Sequence, residues 1–134
     1  MKKKVLFLCT ANSCRSQMAE AIVNARLGET WEAFSAGTKP AGYVHSKTLA
    51  VLKEIDIHHM GRSKAVDEFR SMKFDLVITV CDSAEEECPV WLGTGRRLHY
   101  DFPDPVQADE IQVFRQLRDA IGREIVGVLE AYEN

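Results

Sequence analysis

Two apolar runs in this 134-residue chain stop against cysteines. VLFL at 5–8 runs straight into Cys9, and FDLVITV at 74–80 runs straight into Cys81. Both are of strand length and too short for a buried helix. Between and after them the pattern turns helical. Met18, Ala21, Ile22 and Ala25 share one face of a helix starting near Ser16, with Gly28 as its stop. Residues 31–34 read as a further strand that ends at SAG. Leu49, Leu52 and Ile55 mark a helix over 46–55, and residues 66–72 suit a short third helix. Residues 96–100 form a smaller strand candidate. Two prolines make 101–106 a loop, because proline removes a backbone donor and fixes φ. A long helix is expected from about Asp109 to the C-terminus, buried along Ile111, Phe114, Leu117, Ile121, Ile125 and Val128. Strands alternating with helices predict an α/β fold with a parallel sheet covered on both faces. Ligands of such sheets bind outside the carboxyl ends of the strands, and Cys9 and Cys81 both fall at that edge.

Bulk properties exclude several classes. The length suits one domain over 1–134 with a single core. With 46% hydrophobic and 28% charged residues, the composition is that of a soluble globular protein. A net charge of -3 argues against a broad nucleic-acid footprint, and the basic run at 2–4 reads as a solvated end. The apolar run at 5–8 is too short for a signal-peptide core or a lipoprotein leader. No stretch approaches the ~20 apolar residues of a membrane span, so a cytoplasmic location is expected. The four cysteines are Cys9, Cys14, Cys81 and Cys88. A chain of this size builds a core without staples, and thiols in a reducing compartment are more often catalytic, redox-active or metal-binding.

The stretch CTANSCRS, from Cys9 to Ser16, links a buried strand to a helix start. Such a start presents unpaired N–H groups and partial positive charge, which attract anions. The residues Thr10, Ala11, Asn12, Ser13 and Cys14 can curl their amides around one tetrahedral oxyanion. Arg15 adds a planar fork for two of its oxygens. The same field favours the Cys9 thiolate, the attacking form. Ser16 suits a helix cap and a donor to that thiolate. Cys14, inside the loop, is expected to be structural. The competing reading is a buried structural cysteine beside an incidental arginine, but the strand-to-helix placement favours the anion loop.

VLFLCTANSCRSQMAEA resembles the phosphate-binding loop of the low-molecular-weight protein tyrosine phosphatase superfamily. That likeness implies a small α/β fold, three layers α/β/α around a four-stranded parallel sheet. It also implies a general acid at an Asp-Pro in a late loop, which here is Asp104-Pro105. A carboxylic acid there would protonate the leaving oxygen. Asp101 competes for the role but lacks the following proline.

A phosphatase gives no reason for CDSAEEEC, where Cys88 follows Cys81 by seven positions. In a helix the two would lie about 10 Å apart along the axis. A disulfide needs Cα atoms within about 7 Å, so the pair can bond only if the segment loops or unwinds. The acidic run at 85–87 would keep it exposed, and Pro89 would interrupt a helix. Zinc binding is disfavoured because no CxxC pair exists, which leaves two unreactive cysteines as the other alternative.

The combination CTANSCRSQMAEA, FSAG, GRSK, DLVITVCD, CPV and FPDP is similar to the thioredoxin-coupled arsenate reductases, built on the same fold. This resemblance implies a thiol relay. Cys9 attacks arsenate held by the loop and Arg15, while Asp104 protonates the departing oxygen. Cys81 attacks Cys9, the bonding electrons pass to arsenic, and arsenite leaves behind a Cys9–Cys81 disulfide. Cys88 then attacks Cys81, forms Cys81–Cys88 and frees Cys9. Thioredoxin is the reductant the likeness implies, with glutaredoxin or mycothiol serving relatives. Phosphate and sulfate would compete with arsenate, and a monomer is expected. Some relatives hold potassium at positions matching Asn12, Glu20, Ser35 and Ser63. Here Ala65 stands where those relatives carry Asp, with Lys64 adjacent, so an amine is a candidate substitute for the cation. His45, His58, His59 and His99 lack ligand spacing and read as surface or capping residues. The alternatives are a low-molecular-weight phosphatase acting on phosphomonoesters and a non-catalytic oxyanion-binding or redox-sensing module.

Overall fold

The computed structural model describes residues 2–82, 91 and 93–133. Its strands are β1 (Lys3–Cys9), β2 (Trp31–Gly37), β3 (Leu76–Thr79) and β4 (Arg96–His99). They form one sheet in the order β2-β1-β3-β4, with every pairing parallel. Central strand β1 is covered on both faces, so Val5, Leu6, Phe7 and Leu8 have no exposed surface. The register pairs Cys9 with Gly37 and Leu8 with Thr79. The C-terminal ends of β1, β2 and β3 therefore meet at one edge, which holds Cys9 and the start of the segment containing Cys81.

The period-2 alternation of the strands divides the core in two. Val5, Phe7, Leu76 and Ile78 pack on one side with α1 (Arg15–Arg26), α2 (Ser46–Lys53) and α3 (Ile111–Glu133). Leu6, Leu8, Ala36 and Val77 pack on the other with Phe69, Phe74 and Trp91. The Phe74 and Trp91 rings meet edge-on, 5.8 Å apart at 75°. Among the described residues that second face is closed by one 3-10 turn, Val66–Phe69, not by a helix over 66–72. Phe69 is its only buried residue and anchors it.

The helices correct three expectations. Ala25 is exposed, because α1 buries residues only as far as Val23 and its last turn leaves the core. The Asn24 side chain pins that turn to β2, donating to Ala33 O (3.1 Å) and accepting from Ala33 N (2.9 Å). Leu49 is 37% exposed, and α2 buries Thr48, Val51 and Leu52 instead. A buried threonine hid the true stripe, which is rotated by one position. Leu129 is buried at the end of the α3 stripe, and Val128 is only partly so.

Candidate active site

The Cys9 loop is a bowl because its carbonyls are all held from outside. Thr10 O accepts from Lys39 N (3.0 Å), Ala11 O from Ala41 N (2.9 Å) and Ser13 O from His45 N (3.0 Å). Asn12 O accepts from Gln17 Nε2 (3.2 Å), and Cys14 O accepts from Met18 N at the start of α1 (2.8 Å). With those acceptors turned outward, the concave side is left to N–H groups, the geometry that suits an anion. Gly37 is required where β2 meets the loop, since a Cβ there would lie 2.4 Å from Thr10 O.

Asn12 sets the sharpest bend, at a left-handed φ of 51° that asparagine tolerates. Its side chain is fully bonded. Oδ1 accepts from Lys64 N (2.8 Å) and Gln17 Nε2 (3.0 Å), and Nδ2 donates to Ser16 Oγ (2.7 Å). Ser16 Oγ lies 2.9 Å from Cys9 Sγ. With Cys9 as a thiolate the sulfur can only accept, and the Ser16 hydroxyl is then the donor across this contact. Asn12 N donates to the same sulfur at 3.2 Å. Both contacts hold the sulfur at the floor of the bowl. Ser16 therefore does not cap α1. It sits within the first turn, and the cap position, Cys14, makes no capping side-chain bond.

Arg15 is buried, and Asp104 is not. Arg15 Nη1 donates to Phe102 O (3.1 Å), and Nη2 lies 3.8 Å from Asp104 Oδ2. The Asp104 side chain is 44% exposed, and Oδ1 accepts from Val106 N (3.0 Å). Cys9, Ser13, Arg15, Tyr43, His45 and Asp104 help to line one cleft of about 160 Å³, room for a tetrahedral oxyanion. Burial pushes the Cys14 thiol up to about 11, so it stays protonated at neutral pH. Cys81 is buried two residues beyond β3 and takes part in a disulfide, while Cys9 and Cys14 are free thiols. Cys88, the acidic run at 85–87 and Pro89 lie outside the described residues.

A second polar cluster supports the bowl from below. Glu20 accepts from Ser35 Oγ (2.9 Å) and lies 3.6 Å from the Lys64 ammonium. Lys64 Nζ also donates to Arg62 O (2.7 Å). Ser63 Oγ donates to Ala11 O (3.0 Å). At the positions matching a potassium site, Asn12 Oδ1 and Glu20 accept from protein groups, Ser35 and Ser63 donate, and the Lys64 ammonium sits beside Glu20. His59 is no surface residue, since its side chain is 8% exposed. Its Nε2 lies 2.7 Å from Gln17 Oε1 and 3.7 Å from Glu20 Oε2. Burial holds His59 below its ordinary value; Glu20 opposes this and the Lys64 charge adds to it.

Sequence reading missed Gln17, His59 and His45. Gln17 carried one usable signal, a long amide one position past the motif on the buried side of a helix. His59 carried none, because its partners come from α1. His45 does cap α2, accepting from Lys47 N at 3.1 Å, and it also lines the cleft.

The bowl, its cysteine floor and its arginine wall coincide with a known family. Residues 4–133 match the low molecular weight phosphotyrosine protein phosphatase family. The chain belongs to that family. Within it the chain groups with the arsenate reductases. It is 40% identical over 130 residues to an arsenate reductase of Halalkalibacterium halodurans, spanning 92% of this chain and 93% of that one. A solved arsenate reductase in the phosphate-binding state superposes with a TM-score of 0.84 at 27% identity, covering 96% and 98% of the two chains. A thioredoxin-dependent arsenate reductase of Corynebacterium glutamicum superposes at 0.70 and 28%, covering 98% of this chain and 63% of that one. No helix among the described residues is long and apolar enough to cross a membrane.

Proposed function

We propose that this family member reduces arsenate to arsenite through a cysteine relay, with thioredoxin as the electron donor. Arsenate enters the bowl, where loop amides and the Arg15 fork hold its oxygens. The Cys9 thiolate attacks arsenic, an As–O bond breaks, and Asp104 protonates the departing oxygen as water. Cys81 then attacks Cys9 Sγ. The S–As bonding pair stays on arsenic, which leaves as arsenite. Arsenic is thereby reduced by two electrons and two thiols are oxidised. Cys88 displaces Cys9 from Cys81, and thioredoxin reduces the resulting disulfide.

The observation that carries this reading is the pairing of two sulfur environments at one sheet edge. Cys9 is a free thiol in hydrogen-bond contact with the Asn12 N–H and the Ser16 hydroxyl, and Cys81, beyond the adjacent strand, is a disulfide sulfur. A phosphatase needs the first alone. Potassium is not required, because the Lys64 ammonium supplies the positive charge beside Glu20. Cytoplasmic location and a monomeric state complete the reading.

The test is an assay of the reduced protein with arsenate, thioredoxin, thioredoxin reductase and NADPH, run in KCl and in NaCl. Equal rates in both salts are expected. Cys9→Ser, Cys81→Ser and Cys88→Ser should each abolish multiple turnover. If Cys81→Ser and Cys88→Ser turn over normally while aryl phosphate is hydrolysed briskly, the protein is a phosphatase and the relay is wrong.

A further inference from the structure

His45 is fixed by three contacts before any ligand arrives. Its backbone N–H donates to Ser13 O of the bowl at 3.0 Å. Its Nδ1 accepts the Lys47 N–H at 3.1 Å and caps α2. Its ring lies 4.9 Å from that of Phe114, tilted by 33°. The cap also decides the tautomer. A ring nitrogen that accepts a backbone N–H carries no proton, so the neutral ring bears its proton on Nε2. Nε2–H has no hydrogen-bond partner among the described residues, and His45 lines the same cleft as Cys9, Arg15 and Asp104.

We propose that His45 is an oxyanion-binding residue, whose Nε2–H donates to an oxygen of the bound arsenate or phosphate from the cleft wall. The proposal rests on reading the Cys9 loop as an oxyanion site. It adds an imidazole donor to a site whose charge comes from Arg15 and whose other donors are backbone. The donor is preorganised, since its orientation is set by a helix cap and an aromatic contact, and binding need not reorganise it.

The two nitrogens separate by substitution. Asparagine places an acceptor near Nδ1 and is a favoured cap, but it does not reach the ε position. Glutamine reaches the ε position with an amide N–H and caps poorly. Inorganic phosphate is titrated calorimetrically into the reduced parent, His45→Asn and His45→Gln, and each is melted without ligand. His45→Asn should weaken phosphate about 10-fold, the loss expected for a bond to a charged acceptor. It should melt within about 2 °C of the parent because the cap is kept. His45→Gln should bind within about 3-fold of the parent, since its amide N–H still reaches the anion. It should melt a few degrees lower through loss of the cap. Unchanged phosphate affinity in His45→Asn would make His45 a cap alone, as would binding losses that follow melting temperature in both variants. Failure of the parent to bind phosphate would overturn the oxyanion site itself. Phosphate binding with no arsenate turnover would sink only the relay.

Discussion

The loop of Cys9 and the loop of Asp104 face each other across one cleft and are built in opposite ways. In the first, every side chain from Asn12 to Gln17 is buried. Asn12 alone spends its amide on Ser16, Gln17 and the Lys64 backbone. In the second, the Asp104 carboxylate is nearly half exposed, bonds only to its own turn and lies 3.8 Å from Arg15. The difference follows from what each group must do. Donors that stabilise charge in a transition state work best when fixed in advance. An acid must exchange its proton with water in every cycle, so exposure serves it. Buried order in one loop and solvent access in the other are two requirements of a single reaction.

The sharpest way to break this comparison is to disturb the fixed side. Arg15→Lys keeps the charge but loses the planar fork and the bond to Phe102 O. A loss of about 10²–10³ in kcat/KM for arsenate is expected, the scale of a missing oxyanion donor. A loss below tenfold in steady-state kinetics would mean that the bowl needs charge and not geometry. Asp104→Asn probes the open side. Single-turnover formation of the Cys9 adduct should slow about 10²-fold, the scale of a lost general acid. Its melting temperature should match the parent, because an amide oxygen still accepts from Val106 N. If the variant melts several degrees lower, Asp104 is a structural member of its loop and the contrast fails.

The smallest effect concerns the support beneath the bowl. Burial, aided by Lys64 and opposed by Glu20, depresses His59 in the folded state. The unfolded chain therefore binds the proton more readily, and stability falls as pH drops below His59's ordinary value near 6.5 toward its depressed folded value. In melts between pH 7.5 and 5, His59→Gln should show a shallower decline than the parent, since glutamine does not titrate. Parallel declines would mean that His59 is not held neutral and that the fixed loop carries no pH-sensitive prop.

Much of the fold was legible because the signals were local. The runs at 5–8 and 74–80 are apolar on both faces, which only central strands of a covered sheet require. The α3 stripe was readable from Phe114 to Ile125 because one side of that helix is apolar and the other charged. Two of the errors lie where burial was polar. Thr48 hid the buried face of α2, while Ser16 and Gln17 hid the double duty of α1. The site was legible in the same measure. The motif from Cys9 to Ser16 states its chemistry in consecutive residues, and Asp104-Pro105 is marked by its proline. The buried place of His59 and the cleft-lining position of His45 were illegible because their surroundings come from other elements.

The sequence alone determined the parallel sheet, the strand edge at which the chemistry sits, and the cysteine, arginine and aspartate that are candidates for it. Hydrophobic periodicity and a contiguous anion loop are properties of neighbours along the chain. Tertiary structure decided which way each loop carbonyl turns, that Ser16 sits against the Cys9 sulfur and does not cap α1, and that Lys64 stands beside Glu20. It also decided that His59 is buried and that His45 faces the cleft. Those facts depend on hydrogen bonds between segments distant in sequence, such as Asn12 with Lys64 and Ser13 with His45, and only the packed chain brings such partners within 3 Å.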